Sequence, residues 1–232
     1  MGRAMAGRNA DELNSDVVKR YGTDAGAVVV GIASSDDFHL APEGFKPADV
    51  LKGCVSVIVL GHPFPKEAVL DDPLGYIDVR NAVNEKINDA AKSVAKHIKS
   101  KGYCVKVISG MGGKWVDGKN CGQISLKHAA ELAGIGVIGR NYLLISPEYG
   151  TLLWFSAVLT DAHLAPDKKI EHSICDGCNK CVEVCPSKAL DDPSLFGRKV
   201  CADMMFKMSD GKWRIKCFLC RKVCPHCFGE LS

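Results

Sequence analysis

No apolar run among the 232 residues approaches the ~18–20 that a membrane-spanning helix needs. The opening Met1-Gly2-Arg3-Ala4-Met5-Ala6 lacks the apolar core of a secretion signal, and no Ser or Thr is placed for myristoylation. These gaps lead us to expect a cytoplasmic protein with no membrane partner. Internal repeats with periods of about 20–50 residues are missing, which excludes solenoids and propellers, and there are no low-complexity tracts. Neither a phosphate-binding GxxxxGK[ST] loop nor a Ser, His, Asp order occurs. Aromatics are only 7% of the chain, and Trp115, Trp154 and Trp213 are scattered, so no stacking platform for single-stranded nucleic acid is visible.

Cysteine, by contrast, is abundant. Nine of the 12 fall between Cys175 and Cys227, and only Cys54, Cys104 and Cys121 lie outside, where small buried apolar residues are expected. A disulfide framework spreads its cross-links over a fold, whereas crowding at gaps of two and three residues suits thiolates converging on metal in a reducing compartment. The formal charge is +3. Two oxidised [4Fe–4S] clusters, each about −2 with its four thiolates, bring the total to about −1. Residues 198–222 carry eight Lys and Arg against Asp203 and Asp210. Such a run either offsets cluster charge at a solvated face or docks an acidic redox donor or polyanion.

Ahead of the cysteines, periodicity predicts an α/β or α+β layer over residues 1–165, with a small ferredoxin-like module over 166–232. Helices are expected at 11–21, at Val79–Lys101 and at Ser125–Ala133. The second shows one apolar stripe, Val79, Val83, Ile87, Ala90, Val94 and Ile98. Continuous apolar strands are expected at Ala27–Ala33, Val55–Leu60, Tyr103–Ile108 and Leu152–Leu159. Gly61-His62-Pro63 should stop the second, and Ser34–Asp37 and Ala41–Pro47 read as loop.

The run Cys175-x2-Cys178-x2-Cys181-x3-Cys185-Pro186 has the spacing of a bacterial ferredoxin cluster, in which the fourth cysteine serves the other cluster. Cys217-x2-Cys220-x3-Cys224-Pro225 echoes it. The crossing rule assigns Cys175, Cys178, Cys181 and Cys224 to cluster one, and Cys185, Cys217 and Cys220 to cluster two. The isolated Cys201 is our choice for the remaining ligand, with Cys227 its rival and an open-site or [3Fe–4S] cluster a further option. Paired CxxC motifs also build zinc ribbons, but an uninterrupted four-cysteine run ending in Pro, repeated ~40 residues later, favours iron–sulfur.

Gly134-x-Gly136-x-x-Gly139 matches a dinucleotide fingerprint, yet it follows a helix rather than a strand, and no well-placed acidic residue follows at the expected offset inside a βαβ unit. A glycine-rich turn or a helix C-cap is the better reading. The block Lys127-His128 through Gly134-Ile-Gly136-Val-Ile-Gly139-Arg140-Asn141, then Ser146-Pro147-Glu148-Tyr149-Gly150 and Leu159-Thr160-Asp161, followed by both cysteine motifs, resembles the epoxyqueuosine reductase family. The resemblance covers about Ser125–Pro225 well and the N-terminal part loosely. A more distant similarity is to the corrinoid-dependent reductive dehalogenases.

This resemblance implies a nitroreductase-like layer holding a corrinoid (cobalamin) between the glycine block and the N-terminal strands. Gly134, Gly136, Gly139, Arg140, Asn141 and His128 would be its contacts, with packing or surface exposure the alternative for His128. The place of Cys201 between the motifs also follows that family. The implied donor is a ferredoxin or flavodoxin, and the implied substrate is carried on tRNA. Family members place an acid in a Val-Asp-x-x-Pro stretch ahead of the glycines. Here Lys119-Asn120-Cys121-Gly122-Gln123 stands there, and Asn has no titratable proton, which leaves Asp117 as the candidate catalytic acid. The chain also ends at Ser232 without the helical-repeat extension of many members. Two functions follow: a corrinoid-dependent reductase, or an electron-transfer protein that keeps a partner corrinoid protein or metal centre reduced.

Overall fold

The computed structural model describes residues 13–70, 73–116, 119–171, 174–191, 205–207, 209, 211, 213–215 and 217–229. Helix α1 (Ser15–Asp24) begins at Asn14, whose side chain accepts the Val17 N–H at 3.0 Å and satisfies one of the donors orphaned at a helix start. Strand β1 (Val29–Ser34) leads into a 3-10 turn (Ser35–Phe38), a short helix α2 (Pro47–Val50) and strand β2 (Ser56–Pro63). Helices α3 (Glu67–Leu70) and α4 (Pro73–Ser100) precede β3 (Val105–Ile108), a ribbon of β4 (Lys114–Val116) and β5 (Lys119–Cys121), and helix α5 (Leu126–Leu132). A second ribbon, β6 (Val137–Ile138) with β7 (Leu144–Ile145), leads to the long β8 (Leu153–Thr160). Beyond it come α6 (Lys180–Glu183), a ribbon of β9 (Met205–Lys207) and β10 (Trp213–Ile215), and one helical turn at Leu219–Lys222. No helix among the described residues is long and apolar enough to cross a membrane.

The main sheet has the order β1-β2-β8-β3, and every neighbouring pair is antiparallel, so the layer is α+β. Its two central strands are largely apolar because both faces are covered, and successive side chains enter opposite cores. Ile58 and Leu60 meet Ile87, Val94 and Ile98 of α4, whereas Val57 and Val59 face Ala129, Ala130 and Ala133 around α5.

Two boundaries differ from expectation for packing reasons. Strand β2 runs on to Pro63 because Gly61, His62 and Pro63 pair with Phe155, Trp154 and Leu153. Proline is tolerated there as the last residue of the strand. Helix α4 starts six residues earlier than its stripe, at Pro73, a residue suited to a first helical turn. The added turns carry Tyr76 and Ile77 into a third core with Phe64, Leu152, Phe218 and Cys227. This core joins the layer to the cysteine-rich segment. The stretch just after Asp161 covers the open edge of β1: Asp167 accepts the Ile32 N–H at 2.8 Å through its carboxylate and returns its own N–H to the Ile32 carbonyl.

Candidate iron–sulfur site and adjoining clefts

The first cysteine motif is a tight loop running into α6. Gly177 takes φ +69° in open space, the Cys178 N–H bonds to the Cys175 carbonyl at 3.2 Å, and Cys181 rides on the helix. Cys175, Cys178 and Cys181 line one small pocket with Cys224 of the second motif, closed by Asn141, Ile145 and Pro225. Burial pushes the Cys181 and Cys224 thiols up, and the neighbouring thiols add to it, since thiolates this close repel. Bound iron reverses that penalty. Among the described residues no three His, Cys, Asp or Glu side chains converge on one ion. A cubane instead spreads its thiolates over separate irons, so the donor set suits a [4Fe–4S] cluster.

Cys185 turns toward a different environment. It packs with Cys181, Ala189 and Leu190, and Cys220 and Val223 lie against the same group. Its pKa is lowered: burial acts upward, but the Ser187 hydroxyl and the N–H groups of Ala189, Leu190 and Ser187 together outweigh it. Cys217 is half-buried, and Cys201 lies outside the described residues. The rival Cys227 is 1% exposed in the third core, with its Sγ 3.5 Å from the Thr151 hydroxyl and its thiol pushed up by burial. None of the ten cysteines whose side chains are described forms a disulfide. Cys54 is buried as expected of a small apolar residue, but Cys104 is exposed. The carboxylate of Asp161, which accepts the Cys104 N–H at 2.8 Å, raises that thiol's pKa.

The glycine block closes on the chain itself. Gly134 caps α5 at φ +69°, donating to the Glu131 carbonyl while the Ile135 N–H reaches Ala130. A Cβ on Gly134 would collide with the Lys168 carbonyl, on Gly136 with the Ile145 carbonyl, and on Gly139 with the Ile145 side chain. Gly31 of β1 meets the Ala133 carbonyl just as closely. The space between this block and the first strand, where the resemblance led us to expect a ligand, is therefore filled by backbone. Arg140 and Asn141 face the cysteines instead. The Arg140 N–H donates to Cys175 Sγ at 3.4 Å, and buried Asn141 accepts from Leu143 N–H while donating to the Cys220 carbonyl at 3.4 Å. Hydrogen bonds to cluster sulfurs are one means of setting a reduction potential.

Two cavities lie on either side of the segment Gly122–Ser125. The larger, about 520 Å³, runs between Phe38–Phe45 and the face of α5 that carries His128 and Glu131. The smaller, about 180 Å³, is enclosed by Gly110, Lys127, Leu144, Trp154, Phe155 and Arg221, beside the second cysteine motif. Gly122, Ile124 and Ser125 line both. His128 Nδ1 is 2.7 Å from the Ser125 hydroxyl. Although part of the residue is exposed, the protein packed against the ring lowers its pKa, Glu131 opposing this and Lys127 adding to it. Gln123 Oε1, within the same segment, is buried without a hydrogen-bond partner among the described residues. Asp117 lies outside the described residues, and of Asn120 only the β5 backbone is described.

Sequence reasoning missed Arg221, which counted only as one charge in a basic run. It is in fact 8% exposed, donates to the Tyr76 hydroxyl at 3.3 Å and stacks 5.7 Å over the Phe64 and Tyr76 rings. Its place one residue after Cys220, inside the second motif, was the available signal.

Fold and thiol pocket together define an α+β protein with a candidate iron–sulfur site. A 4Fe–4S binding domain matches residues 168–191. Epoxyqueuosine reductase of Bacillus cereus is 32% identical over 114 residues, which are 45% of this chain and 30% of that relative. The Gloeobacter violaceus epoxyqueuosine reductase is 26% identical over 93% of this chain and 69% of its own length. The chain thus covers about 30% of the Bacillus and Listeria relatives. A solved epoxyqueuosine reductase with an epoxyqueuosine-modified tRNA-Tyr stem loop superposes with TM-score 0.64 at 21% identity, over 94% of this chain and 67% of that one. A B12-dependent reductive dehalogenase superposes with TM-score 0.59 at 20% identity, over 75% of this chain and 25% of that one. The chain is epoxyqueuosine reductase-like, and the dehalogenases are more distant relatives in fold.

Proposed function

We propose that this protein is an iron–sulfur oxidoreductase, taking low-potential electrons from a ferredoxin or flavodoxin through two [4Fe–4S] clusters to a bound corrinoid that reduces an organic substrate. One observation carries the reading: thiols from two separated motifs, Cys175, Cys178 and Cys181 with Cys224, face one pocket. That crossing is what a two-cluster ferredoxin module requires. In this reading residues 1–165 are the ligand-binding layer and 166–232 the cluster module. Cys185, Cys201, Cys217 and Cys220 hold the second cluster. The clusters supply one-electron steps; the protein's part is to fix the sulfurs, donate the Arg140 N–H to Cys175 and screen the pocket from water.

The clefts suit a flat, largely apolar cofactor by their lining. Phe38, Pro42, Phe45 and Ile124 face one cavity, and Leu144, Leu153, Trp154 and Phe155 the other. A corrinoid bound there would supply reduction at cobalt, with binding and orientation left to the chain.

A second reading, in which the protein transfers electrons to a partner's corrinoid or metal centre, is favoured by a specific feature: among the described residues the smaller cavity is lined by no carboxyl group. Asn120 stands where the family's acid is expected. We therefore expect cobalamin binding but little or no reduction of epoxyqueuosine in tRNA. Anaerobic titration of the cluster-loaded protein with cobalamin, followed by assay with modified tRNA and a strong reductant, tests both. Absence of cobalamin binding with full clusters would favour the second reading, and rapid turnover would restore an acid such as Asp117 to the mechanism.

A further inference from the structure

Arg221 is more than nine-tenths buried, and the two ion pairs among the described residues, Lys19–Asp167 and Lys92–Asp89, leave it out. Among the described residues its hydrogen bond is to the Tyr76 hydroxyl. Among the described residues this guanidinium meets a hydroxyl and two aromatic faces and no carboxylate, which leaves it capacity for an anionic partner. It forms part of the wall of the 180 Å³ cavity, whose other ionisable side chain is Lys127, with its ammonium held by the Tyr142 carbonyl. Among the described residues the cavity is lined by two cations and no carboxylate, which favours negative charge, and a planar guanidinium fits an oxyanion with paired hydrogen bonds.

We propose that this cavity is an oxyanion site: its ligand carries a carboxylate or phosphate seated against Arg221. The inference deepens the reductase reading, because it assigns a charge to whatever occupies the cleft beside the cluster module. The same oxyanion chemistry has two sources, a small organic acid or phosphate, and the phosphodiester of a complete corrinoid. Trp154 lines the cavity, with its Nε1 donating to Asn84 Oδ1 at 3.0 Å, so indole emission reports occupancy.

The test uses anaerobically prepared full-length protein, with its iron measured first. Inorganic phosphate, succinate, cobalamin and cobinamide (which lacks the phosphodiester) are titrated against wild type, Arg221→Gln and Arg221→Lys at constant ionic strength. We expect phosphate or succinate to bind wild type and to weaken about tenfold or more in Arg221→Gln, with Arg221→Lys retaining part of the affinity. If the corrinoid is the source, cobalamin will exceed cobinamide by a similar factor, and Arg221→Gln will erase the difference. Should Arg221→Gln fail to fold, the wild type decides: phosphate or succinate must raise its melting temperature above that in matched chloride, or cobalamin must bind more tightly than cobinamide. Failure of both comparisons, or affinities unchanged in a folded Arg221→Gln, overturns the proposal. Full clusters without anion binding would refute this site alone, whereas anion binding by protein that never holds iron would refute the reductase reading alone.

Discussion

In the sheet layer, Ile58, Leu60 and Val158 are fully buried against a helix of 28 residues, and Val57 and Leu159 are equally buried on the opposite face. In the cysteine-rich segment the buried apolar groups are few, and cysteines themselves make up much of the small core of Cys181, Cys185, Ala189 and Leu190. The first region is stabilised by hydrophobic burial around two-sided strands. The second has one-turn helices that would not persist on their own, and it depends on what its thiols hold. The two are joined by backbone as much as by side chains. The Thr151 N–H bonds to the Cys227 carbonyl at 2.8 Å, and Gly150 and Gly229, both at positive φ, let the two segments pass closer than a Cβ permits.

The sharpest test of this contrast lies within the thiols. Cys201→Ala should lower iron from about eight toward four or seven per chain, whereas Cys227→Ala should keep both clusters and lose only packing in the third core. Iron and sulfide analysis of both variants decides, and the reverse pattern would reassign the ligand. In the layer, Leu60→Ala should cost about 2–5 kcal/mol, read as a lower denaturation midpoint, with iron content unchanged in the folded protein. Loss of iron before unfolding would mean that the two regions are not separable in this way.

Glycines sharpen the comparison further. Gly136→Ala pushes a methyl into the Ile145 carbonyl and should destabilise by about 1–3 kcal/mol, with or without cobalamin. Gly177→Ala meets no neighbour within 4 Å and should cost only the ~1–2 kcal/mol of a left-handed conformation. Equal melting temperatures for Gly136→Ala and wild type would show that the block is looser than its packing indicates. The smallest effect concerns pH. His62 Nδ1 donates to the Gly26 carbonyl at 3.1 Å, and burial, partly offset by that carbonyl and reinforced by Lys86, lowers its pKa. The unfolded chain then binds the proton more readily. His62 therefore contributes stability above pH ~6.5 that declines as pH falls toward its folded value. His62→Gln should flatten that part of the stability profile, and an unchanged slope would assign it to another group.

Much of the layer was legible because apolar periodicity reports burial directly: the stripe from Val79 to Ile98 and the runs at Val55–Leu60 and Leu152–Leu159 became the helix and central strands. The start of α4 was not, because Tyr76 and Ile77 are apolar for the sake of a contact with Phe218 and Cys227, far away in sequence. The short ribbons also escaped notice, since two or three residues carry no period. Cysteine spacing pointed to one pocket, but neither Arg221 nor the cavity beside it could be inferred from a local pattern. Their significance arises from tertiary neighbours, Phe64, Tyr76 and Trp154, supplied by three different elements or loops.

The most direct measurement of the central claim is metal and sulfide content with low-temperature electron paramagnetic resonance on anaerobically prepared protein, compared between wild type and Cys224→Ala. The crossing of ligands predicts about eight irons in wild type, with two reducible [4Fe–4S] signals, and Cys224→Ala should damage the cluster built on Cys175, Cys178 and Cys181 while sparing the other. Zinc-filled, colourless protein that takes up no iron on reconstitution, or a Cys224→Ala variant that loses only the cluster of its own motif, would contradict it.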